Sequence, residues 1–473
     1  MRQASIGAAA LACLAGLPGC AHTPPRPPGQ TLTDGSTNVV CNFSHRLPDD
    51  PIVYPGRPGI SMQHDFFGNT TANAYSTAES LRKVSGTTCE NAADATAYWA
   101  PALRLPDGTV VAPMYQKTYY SNLAVPASRH VVVQPFPPGL RMMVGDHAGT
   151  GPNPRISFLC TGMGYTNKIP TQCKPDPGTG TQFNIGMNFP TCWDGRTLAP
   201  VMGGRDNMAY PDSDGNCPAD YPVHLPEVNM NVAYKLGQIT DLTGVQLSAD
   251  PVLDAQGKVV RQQWSSLYTA HGDFFMGWSE QAARFMADYC LNKGRVCNRE
   301  VAYAYFEVAE DATVRSGDAA NHGADTSLDA QLASGSTPES MIYVKARIPK
   351  GAATLPPDFV PRYTLMLAGG NATDTAAVNI HAYSVSTDWS EGTISGTNAP
   401  ACSGTGAALY LDATMQYRGF TVTQAVNEAL AAGRDTVAFC IRGAGAGRLF
   451  QFGSRESGNK PVLYLIAVNP LPS

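Results

Sequence analysis

The chain has few charged residues and no excess of positive charge. Asp, Glu, Lys and Arg make up 15% of its 473 residues, and the formal net charge at pH 7 is −5. Nothing in this balance indicates the basic surface that binds nucleic acid. Because charge is scarce while the chain holds 46 Gly and 37 Pro, the composition favours β-structure with many turns over helical bundles.

Long apolar runs are also missing. Beyond the N-terminus, no segment is long and apolar enough to cross a membrane. At the N-terminus, Arg2 precedes a short apolar stretch over residues 4–17, which is typical of an export signal and too short for a spanning helix. We therefore expect an exported protein.

The export signal ends in residues 17–20 (LPGC), which resemble the lipobox of bacterial lipoproteins. The resemblance implies a signal peptide over residues 1–19, acylation of Cys20, and attachment to the outer membrane or cell surface through the lipid. An ordinary secretory signal that is cut nearby is the alternative. Residues 20–40 contain a proline-rich stretch and predict an extended spacer.

Cys-x-x-Cys pairs are absent, which argues against a cysteine-bound zinc site. Of the 12 cysteines, ten remain when the two N-terminal ones are set aside, and an even number in an exported chain indicates disulfide bonds. Cys402 and Cys440 lie alone in the C-terminal third and should pair, and Cys290 and Cys297 could close a small loop. The remaining six cannot be paired from the sequence: Cys41, Cys89, Cys160, Cys173, Cys192 and Cys217.

The pattern changes near residue 300 and predicts two mainly β domains. Residues 41–298 are irregular and rich in Pro, Gly, Asn and aromatics, which indicates short strands, long ordered loops and few helices. The clearest helix is predicted over Ser279–Asn292, with Ser279 as its cap. Residues 299–473 hold several alternating runs, such as 342–348, separated by turn residues. They predict an antiparallel, jelly-roll-like β-sandwich.

Short motifs in the second domain follow one another in a recognisable order. They are Ala309–Val314 (AEDATV), Asn321–Gly323 (NHG), Tyr343–Lys345 (YVK), Trp389–Glu391 (WSE), Phe452–Glu456 (FGSRE) and Lys460–Leu463 (KPVL). Their order resembles the DNRLRE family of β-sandwich modules, several of which bind carbohydrate. The resemblance implies a glycan-binding module, with acidic polysaccharide as one candidate ligand.

Four residues of this module are candidate glycan contacts. Lys345, Arg347 and Arg455 could lie on one polar face and pair with uronate carboxylates. Trp389 could form a platform for a sugar ring. The alternatives are a solvated strand face for the three cations and a core position for the single Trp.

Two runs in the first domain echo each other across the sequence. His64–Gly68 (HDFFG) and His271–Phe275 (HGDFF) each place an imidazole and a carboxylate beside two Phe residues. Burial beside rings shifts pKa values, and such shifts cluster at functional sites. If the two runs meet, they form a polar pocket with an apolar wall, which is a common form of small-molecule site.

The first domain also carries an extended family resemblance. The matching runs are Asp49–Gly56, His64–Asn69, Tyr98–Pro101, Pro138–Met142, Cys192–Gly195, Asn207–Pro211, Cys217–Pro218 and His271–Phe274. They resemble a secreted domain of unknown function that is common in fungi and some bacteria, and the resemblance implies a role at cell walls or polysaccharides. Where that family usually has His, this chain has Met62 and Asn207.

The candidate catalytic set follows from these runs. His64, His271 and Asp273 could bind a divalent metal, calcium or zinc, with open positions, or they could act as base and acid without metal. Asp65 is a further candidate, Arg141 could clamp a substrate charge, and Asp194 is a reserve carboxylate. A glycosidase pair would need two carboxylates ~5 to ~9.5 Å apart.

Each of these residues also has a structural alternative. A His beside Phe could be a hydrogen-bonded core residue, and Asp65 and Asp273 could cap turns. Arg141 could be a structural partner of Asp146 or Asp194. Taken together, the features predict an exported, envelope-anchored protein that acts on polysaccharide, as a hydrolase or a lyase with an appended carbohydrate-binding module. A non-catalytic surface protein that binds glycan or mediates adhesion is the alternative.

Overall fold

The computed structural model describes residues 32–468, except 84–85, 125–128, 203, 353 and 356–358. The expected signal peptide and lipidated Cys20 lie outside the described residues. None of the helices in the described part of the chain has the length and hydropathy of a membrane span. Both domains are mainly β, as the sequence predicted.

The first domain contains 19 strands among the described residues, most of them short. In chain order, β1 to β19 are Ser36–Leu47, His64–Gly68, Ala97–Pro101, Leu103–Arg104, Val110–Val111, Tyr115–Ser121, Leu123–Ala124, Arg129–His130, Arg141–Gly145, Ile156–Cys160, Gln182–Asn188, Cys192–Trp193, Met208–Ala209, Val223–His224, Glu227–Lys235, Gln246–Leu253, Val259–Ser266, His271–Phe275 and Val296–Asn298.

One ten-stranded sheet organises this domain. Its order is β10-β11-β15-β6-β1-β2-β3-β18-β9, and β19 pairs with β1. Strand β1 begins at Ser36, so the end of the predicted spacer belongs to the sheet, where Val39 and Cys41 alternate inward into the core. All five residues of β2 are buried, which explains its run of bulky residues, since a strand covered on both faces need not alternate.

Three short α-helices accompany the strands in the part of the chain that the structure describes. The helices α1 to α3 are Ala78–Lys83, Glu280–Phe285 and Thr423–Ala431. The helix predicted from Ser279 is capped as expected, because the Ser279 hydroxyl accepts a hydrogen bond from the Ala282 N–H at 3.1 Å. Only its first part is α-helical, since a π turn and a 3-10 turn follow over Met286–Cys290 and Leu291–Lys293.

The second domain contains ten strands among the described residues. In chain order, β20 to β29 are Ala304–Arg315, Ser327–Gln331, Ser340–Arg347, Val360–Asn371, Val378–Val385, Gly406–Leu411, Gln416–Thr421, Thr436–Arg442, Leu449–Gly453 and Val462–Val468.

The strands of the second domain form one antiparallel sheet that closes on itself. Its order is β20-β29-β23-β28-β21-β22-β27-β24-β25, with β26 on β23. Strand β20 pairs with β29 through its first half and with β22 through its second half. Such double pairing turns the sheet around a shared apolar interior, which agrees with the predicted sandwich.

The helical segment after β18 joins the two domains. Phe285 packs on Tyr464 with ring centroids 5.1 Å apart, and Tyr289 packs on Tyr417 at 5.9 Å. These rings belong to one apolar cluster that extends from the first sheet into the second.

Five disulfides connect the described cysteines. Cys402–Cys440 and Cys290–Cys297 form as expected. The six cysteines that the sequence left open each pair with the next cysteine along the chain, as Cys41–Cys89, Cys160–Cys173 and Cys192–Cys217.

Candidate functional site

Strands β2, β3 and β18 lie side by side in the first sheet and position the candidate site. Trp99 of β3 pairs with Phe66 of β2 on one side and with Asp273 of β18 on the other. Because side chains alternate along a strand, His64 shares a face with Phe66, and His271 shares a face with Asp273. Both histidines therefore lie on one face of the sheet, two strands apart.

The imidazoles of His64 and His271 are in contact. Their Nε2 atoms are 3.4 Å apart, and their rings meet edge to face with centroids 5.7 Å apart. His64 is fully buried, whereas His271 keeps partial exposure. The structure thus brings together the two runs that the sequence singled out, and solvent can approach from the His271 side.

Backbone carbonyls fix the orientation of both rings. Nδ1 of His64 donates to the Asp49 carbonyl at 3.0 Å, and Nδ1 of His271 donates to the Thr269 carbonyl at 2.9 Å. A carbonyl can only accept, so Nδ1 carries the proton in each ring. In the neutral state, both Nε2 atoms are then unprotonated and face each other.

Burial sets the protonation state of the two histidines. It lowers the pKa of His64 to about 4, against the opposing effect of the hydrogen bond to Asp49. Burial and, after it, the neighbouring His64 lower the pKa of His271 to about 4. Both imidazoles are therefore neutral at physiological pH.

Asp273 completes the cluster. It is 2% exposed, and its Oδ2 has no hydrogen-bond partner among the described residues. Burial, followed by the nearby Asp50, raises the pKa of Asp273 well above its ordinary value. One ligand atom from each of His64, His271 and Asp273 lies within 4.8 Å of the others, so the three residues could hold one metal ion.

Aromatic rings form the wall beside the cluster. Phe66 stacks on Trp99 with centroids 5.5 Å apart, and the His64 ring stands edge-on to Phe66 at 6.5 Å. The other buried members of this apolar layer are Ile52, Ala72, Leu81, Ala97 and Phe275. This layer keeps water from the buried side of the site, which is why desolvation dominates the pKa shifts.

Asp50 is a buried acid beside the site that the sequence analysis did not single out. Its Oδ1 accepts hydrogen bonds from the N–H groups of Ile52 and Val53, both at 2.8 Å. Burial raises the pKa of Asp50, and its charge acts on His271 and Asp273. The sequence marked Asp50 only as a member of the run Asp49–Gly56, which is part of the family resemblance.

An exposed pair lies nearby and also escaped the sequence analysis. His147 Nδ1 and Asp250 Oδ2 are 2.9 Å apart, and their side chains are 59% and 47% exposed. The charge of Asp250 raises the pKa of His64, and that of His147 lowers the pKa of His271. No local motif marks either residue, because each comes from a separate loop or strand.

Asp65 does not belong to the cluster, contrary to expectation. It pairs with Arg46 through two contacts, Nε to Oδ1 at 2.6 Å and Nη2 to Oδ2 at 3.1 Å. Burial raises the pKa of Asp65 to about 6, and Arg46 opposes the shift. Adjacent strand residues point to opposite faces, so Asp65 cannot share the pocket of His64.

Arg141 lies farther along the same sheet face. It pairs with Phe275, four residues from His271 in β18, which corresponds to roughly 13 Å along a strand. Its guanidinium lies 4.2 Å from the centroid of the Phe275 ring, and burial lowers its pKa. The predicted clamp therefore does not stand beside the histidines and could only contact a substrate that extends along this face.

Asp194 caps a turn. Its Oδ1 accepts hydrogen bonds from the N–H groups of Arg196 and Thr197, both at 2.8 Å. Burial would raise the pKa of Asp194, but these hydrogen bonds lower it below its ordinary value. Nothing places this carboxylate beside Asp273 as one half of a glycosidase pair.

Met62 and Asn207, which replace histidines of the resembling family, are both buried. The Asn207 side chain donates to the Arg141 carbonyl at 3.0 Å. Asn207 therefore lies at the Arg141 end of the face, away from the imidazole pair.

In the second domain, Lys345 is not on the exposed face predicted for it. It is 7% exposed, and its Nζ donates to Glu310 at 2.8 Å and to the Trp389 carbonyl. Nζ also lies 4.5 Å from the centroid of the half-buried Trp389 ring. The reason is that β22 is covered on both faces, so alternation does not expose every second residue.

The two arginines of the predicted glycan set reach the surface in part. Arg347 pairs with Asp435 at 3.1 Å, with side chains 72% and 49% exposed. Arg455 donates its backbone N–H to Asp311 at 2.8 Å and pairs with Glu391 through its guanidinium. Their contact with a glycan stays a prediction.

An open groove in the second domain was not foreseen. It has a volume of about 240 Å³. Its lining includes polar residues and one exposed methionine, namely Thr326, Ser327, Met415, Gln451 and Asn459.

Comparison with known families agrees with both resemblances. Residues 50–278 match the family described as domain of unknown function (DUF1996), and residues 302–467 match carbohydrate-binding module family 96. Among curated proteins, none matches the chain significantly. The candidate cluster lies within the first match, and Lys345, Arg347, Trp389 and Arg455 lie within the second.

Proposed function

We propose that this chain, in which a DUF1996 domain precedes a family 96 carbohydrate-binding module, is an exported enzyme that cleaves polysaccharide. One observation carries the proposal: His64 and His271 meet beside the buried, unpartnered Asp273 on one face of the first sheet. Buried polar groups normally have partners, and exceptions concentrate at functional sites. The second domain would hold the polysaccharide close to this site.

The state of the imidazoles supports acid–base chemistry. Burial lowers the pKa of His64 and of His271 to about 4. Both rings are therefore neutral at physiological pH, and the cluster offers unprotonated nitrogen. Cleavage by a lyase requires removal of a proton next to a uronate, whereas the usual hydrolase requires two carboxylates flanking the bond. Asp194 is engaged in a turn, and the buried Asp50 beside Asp273 already accepts two backbone N–H groups. The elimination route therefore fits the site better.

Export is part of the proposal. All ten cysteines in the described part of the chain form disulfides, and disulfides persist mainly in oxidising compartments outside the cytosol. The N-terminal sequence supplies a candidate signal and the lipid anchor at Cys20. Detection of acylated Cys20 in the mature protein by mass spectrometry would test the anchor.

The activity is tested by incubating the purified protein with neutral and acidic polysaccharides and analysing released oligosaccharides by mass spectrometry. A lyase leaves an unsaturated uronate at each new end, whereas a hydrolase adds water. We expect products that disappear in His271→Ala and persist in His130→Ala, whose histidine pairs with Asp34 at the surface. Absence of products with every substrate, with zinc and calcium supplied, would contradict the proposal.

A non-catalytic glycan-binding protein is the second candidate. It is favoured by Met62 and Asn207, which take away two imidazoles that the family resemblance leads one to expect. Under this alternative, the protein would bind a polysaccharide in a sedimentation assay but release nothing from it.

A further inference from the structure

We infer that His64, His271 and Asp273 bind one divalent transition-metal ion of the zinc class, through the two Nε2 atoms and a carboxylate oxygen. Metal binding can be measured by itself, and only the catalytic consequence of the ion rests on the proposed function. The inference is built on the positions of these side chains and on their missing partners.

The distance between the imidazoles matches a shared metal ion. Two nitrogen ligands, each 2.0–2.1 Å from a tetrahedral zinc ion, lie about 3.3–3.4 Å apart. The Nε2 atoms of His64 and His271 are 3.4 Å apart. Asp273 offers a carboxylate oxygen within 4.8 Å of a ligand nitrogen of each histidine.

The direction of the lone pairs gives a second reason. With Nδ1–H donated to carbonyls on both rings, the two Nε2 lone pairs face each other without a donor between them. Asp273 Oδ2 adds a third acceptor without a donor among the described residues. One shared proton would serve two of these atoms at most, whereas a cation satisfies all three.

The surroundings of the ligands resemble an outer shell that orients metal-binding histidines. Such histidines usually donate their other ring N–H to a carbonyl or carboxylate. Here Asp49, whose carbonyl accepts from His64, is itself fixed in place. Its side chain accepts hydrogen bonds from the N–H groups of Gly59 at 2.8 Å and Ala74 at 3.0 Å. Both rings are therefore held in position before any ion arrives.

The ligand types select the class of metal. Calcium prefers six to eight oxygen ligands, whereas two imidazoles and one carboxylate suit zinc and similar ions. Three protein ligands leave a fourth position for water or a substrate oxygen. The ion would also bring to the site the positive charge that Arg141, roughly 13 Å away along the strand, does not provide.

The other clusters with metal-ligand types in the described chain lack a pair of bare imidazole nitrogens, although Asp311 Oδ1 in one of them is also without a hydrogen-bond partner. In two of them, Cys192–Cys217 with His224 and Cys41–Cys89 with Asp94, the sulfur atoms are already in disulfides. The third joins Asp311, Glu391 and Glu456, and Arg455 supplies a cation within it.

The test is direct measurement of zinc on the full chain after removal of metal with a chelator. Isothermal titration with ZnCl₂ and elemental analysis after dialysis should both give one zinc per chain. His271→Gln and Asp273→Asn should each weaken zinc binding at least about 100-fold, because each removes a ligand rather than an outer-shell partner. His130→Gln, a matched surface substitution, should bind zinc like the parent.

The outcomes separate this inference from the proposed function. Folded protein that takes up no zinc, or whose uptake survives both His271→Gln and Asp273→Asn, would overturn the metal site. Polysaccharide cleavage by demonstrably metal-free protein would overturn the catalytic consequence of the ion and leave the proposed function standing. One zinc per chain that is lost in both variants supports the site, even where no polysaccharide is cleaved.

Discussion

Each domain holds a polar cluster beneath aromatic rings, and the two clusters are built in opposite ways. In the second domain, Lys345 is buried against Trp389, and Glu310 matches its charge at 2.8 Å. In the first domain, the bare nitrogens of His64 and His271 face each other, and the buried Asp273 oxygen beside them has no partner.

The difference separates a structural role from a functional one. A buried charge with a complete set of partners is satisfied by the fold and leaves nothing for a ligand. A buried cluster of two bare nitrogens and a carboxylate remains unsatisfied until the carboxylate takes up a proton or a cation enters. Composition does not distinguish the two clusters, since both combine ionisable residues with Trp and Phe or Tyr.

The largest effect on stability is expected when the cluster of Lys345, Glu310 and Trp389 in the second domain is broken. Lys345→Met should lower the free energy of unfolding by about 3–4 kcal/mol, because it leaves the partly buried Glu310 without its cation. Arg347→Met, two residues away on the same strand but 72% exposed, should cost about 0.5 kcal/mol or less. Urea unfolding measures the free energy of unfolding of both variants. Equal losses in Lys345→Met and Arg347→Met would contradict the structural role of Lys345.

Lowering the pH should reduce the stability of the protein through protonation of His64. The pKa of His64 is lowered to about 4 in the folded protein, so the unfolded chain takes up the proton first as the pH falls from about 6.5. Stability of the metal-free protein should fall across this window, on the order of 3 kcal/mol for this group. His64→Gln should lack that loss in urea titrations at neutral pH and near pH 4, and a parallel pH dependence of parent and variant would contradict the expectation.

Replacing the unpartnered acid should stabilise the protein in the presence of a chelator. A raised pKa means that folded Asp273 holds its proton longer than the unfolded chain does, so stability is lost as the pH rises above the ordinary pKa. Asp273→Asn removes that loss and can donate to a bare nitrogen, for a gain of roughly 1–2 kcal/mol at neutral pH.

Asp194→Asn is the matched control for this substitution. The pKa of Asp194 is lowered, so its contribution has the opposite sign and is lost as the pH falls. Thermal melts over a pH series should show a gain only for Asp273→Asn, and only above the ordinary carboxyl pKa. A destabilised Asp273→Asn would mean that the carboxylate has a partner after all.

The smallest effect concerns glycan binding by the second domain. Arg347→Gln should weaken binding of an acidic polysaccharide by less than about tenfold, in line with about 1 kcal/mol or less for an exposed ion pair. Affinity electrophoresis with neutral and acidic polysaccharides measures this. If the Arg347→Gln variant binds the acidic polysaccharide as tightly as the parent protein does, the predicted role of this arginine is wrong.

Local patterns accounted for the fold class and for some individual elements. The alternation over 342–348 lies in β22 except for its last residue, and the cap at Ser279 begins α2. Patterns of this kind depend on neighbours within one turn or one strand, and therefore survive without knowledge of the tertiary structure. The π turn after α2 has no comparable signal and was missed.

Exposure was harder to infer than secondary structure. Lys345 was expected on a polar face because it alternates with apolar residues, yet the strand is covered on both sides. Asp65 was grouped with His64 because they are adjacent, and adjacency in a strand separates side chains. Both errors come from interpreting a one-dimensional pattern without knowing what packs on each face.

The sequence by itself determined two mainly β domains, an even set of cysteines, two family resemblances and the pair of histidine-bearing runs. Only the tertiary structure decided that His64 and His271 touch, that Asp273 joins them while Asp65 turns away, and that Asp50 lies close by. Strand formation follows from local alternation, whereas strand order follows from pairing between segments far apart along the chain, such as β3 with β18 at Trp99 and Asp273. The site depends on that pairing, so its geometry could not be deduced from either run alone.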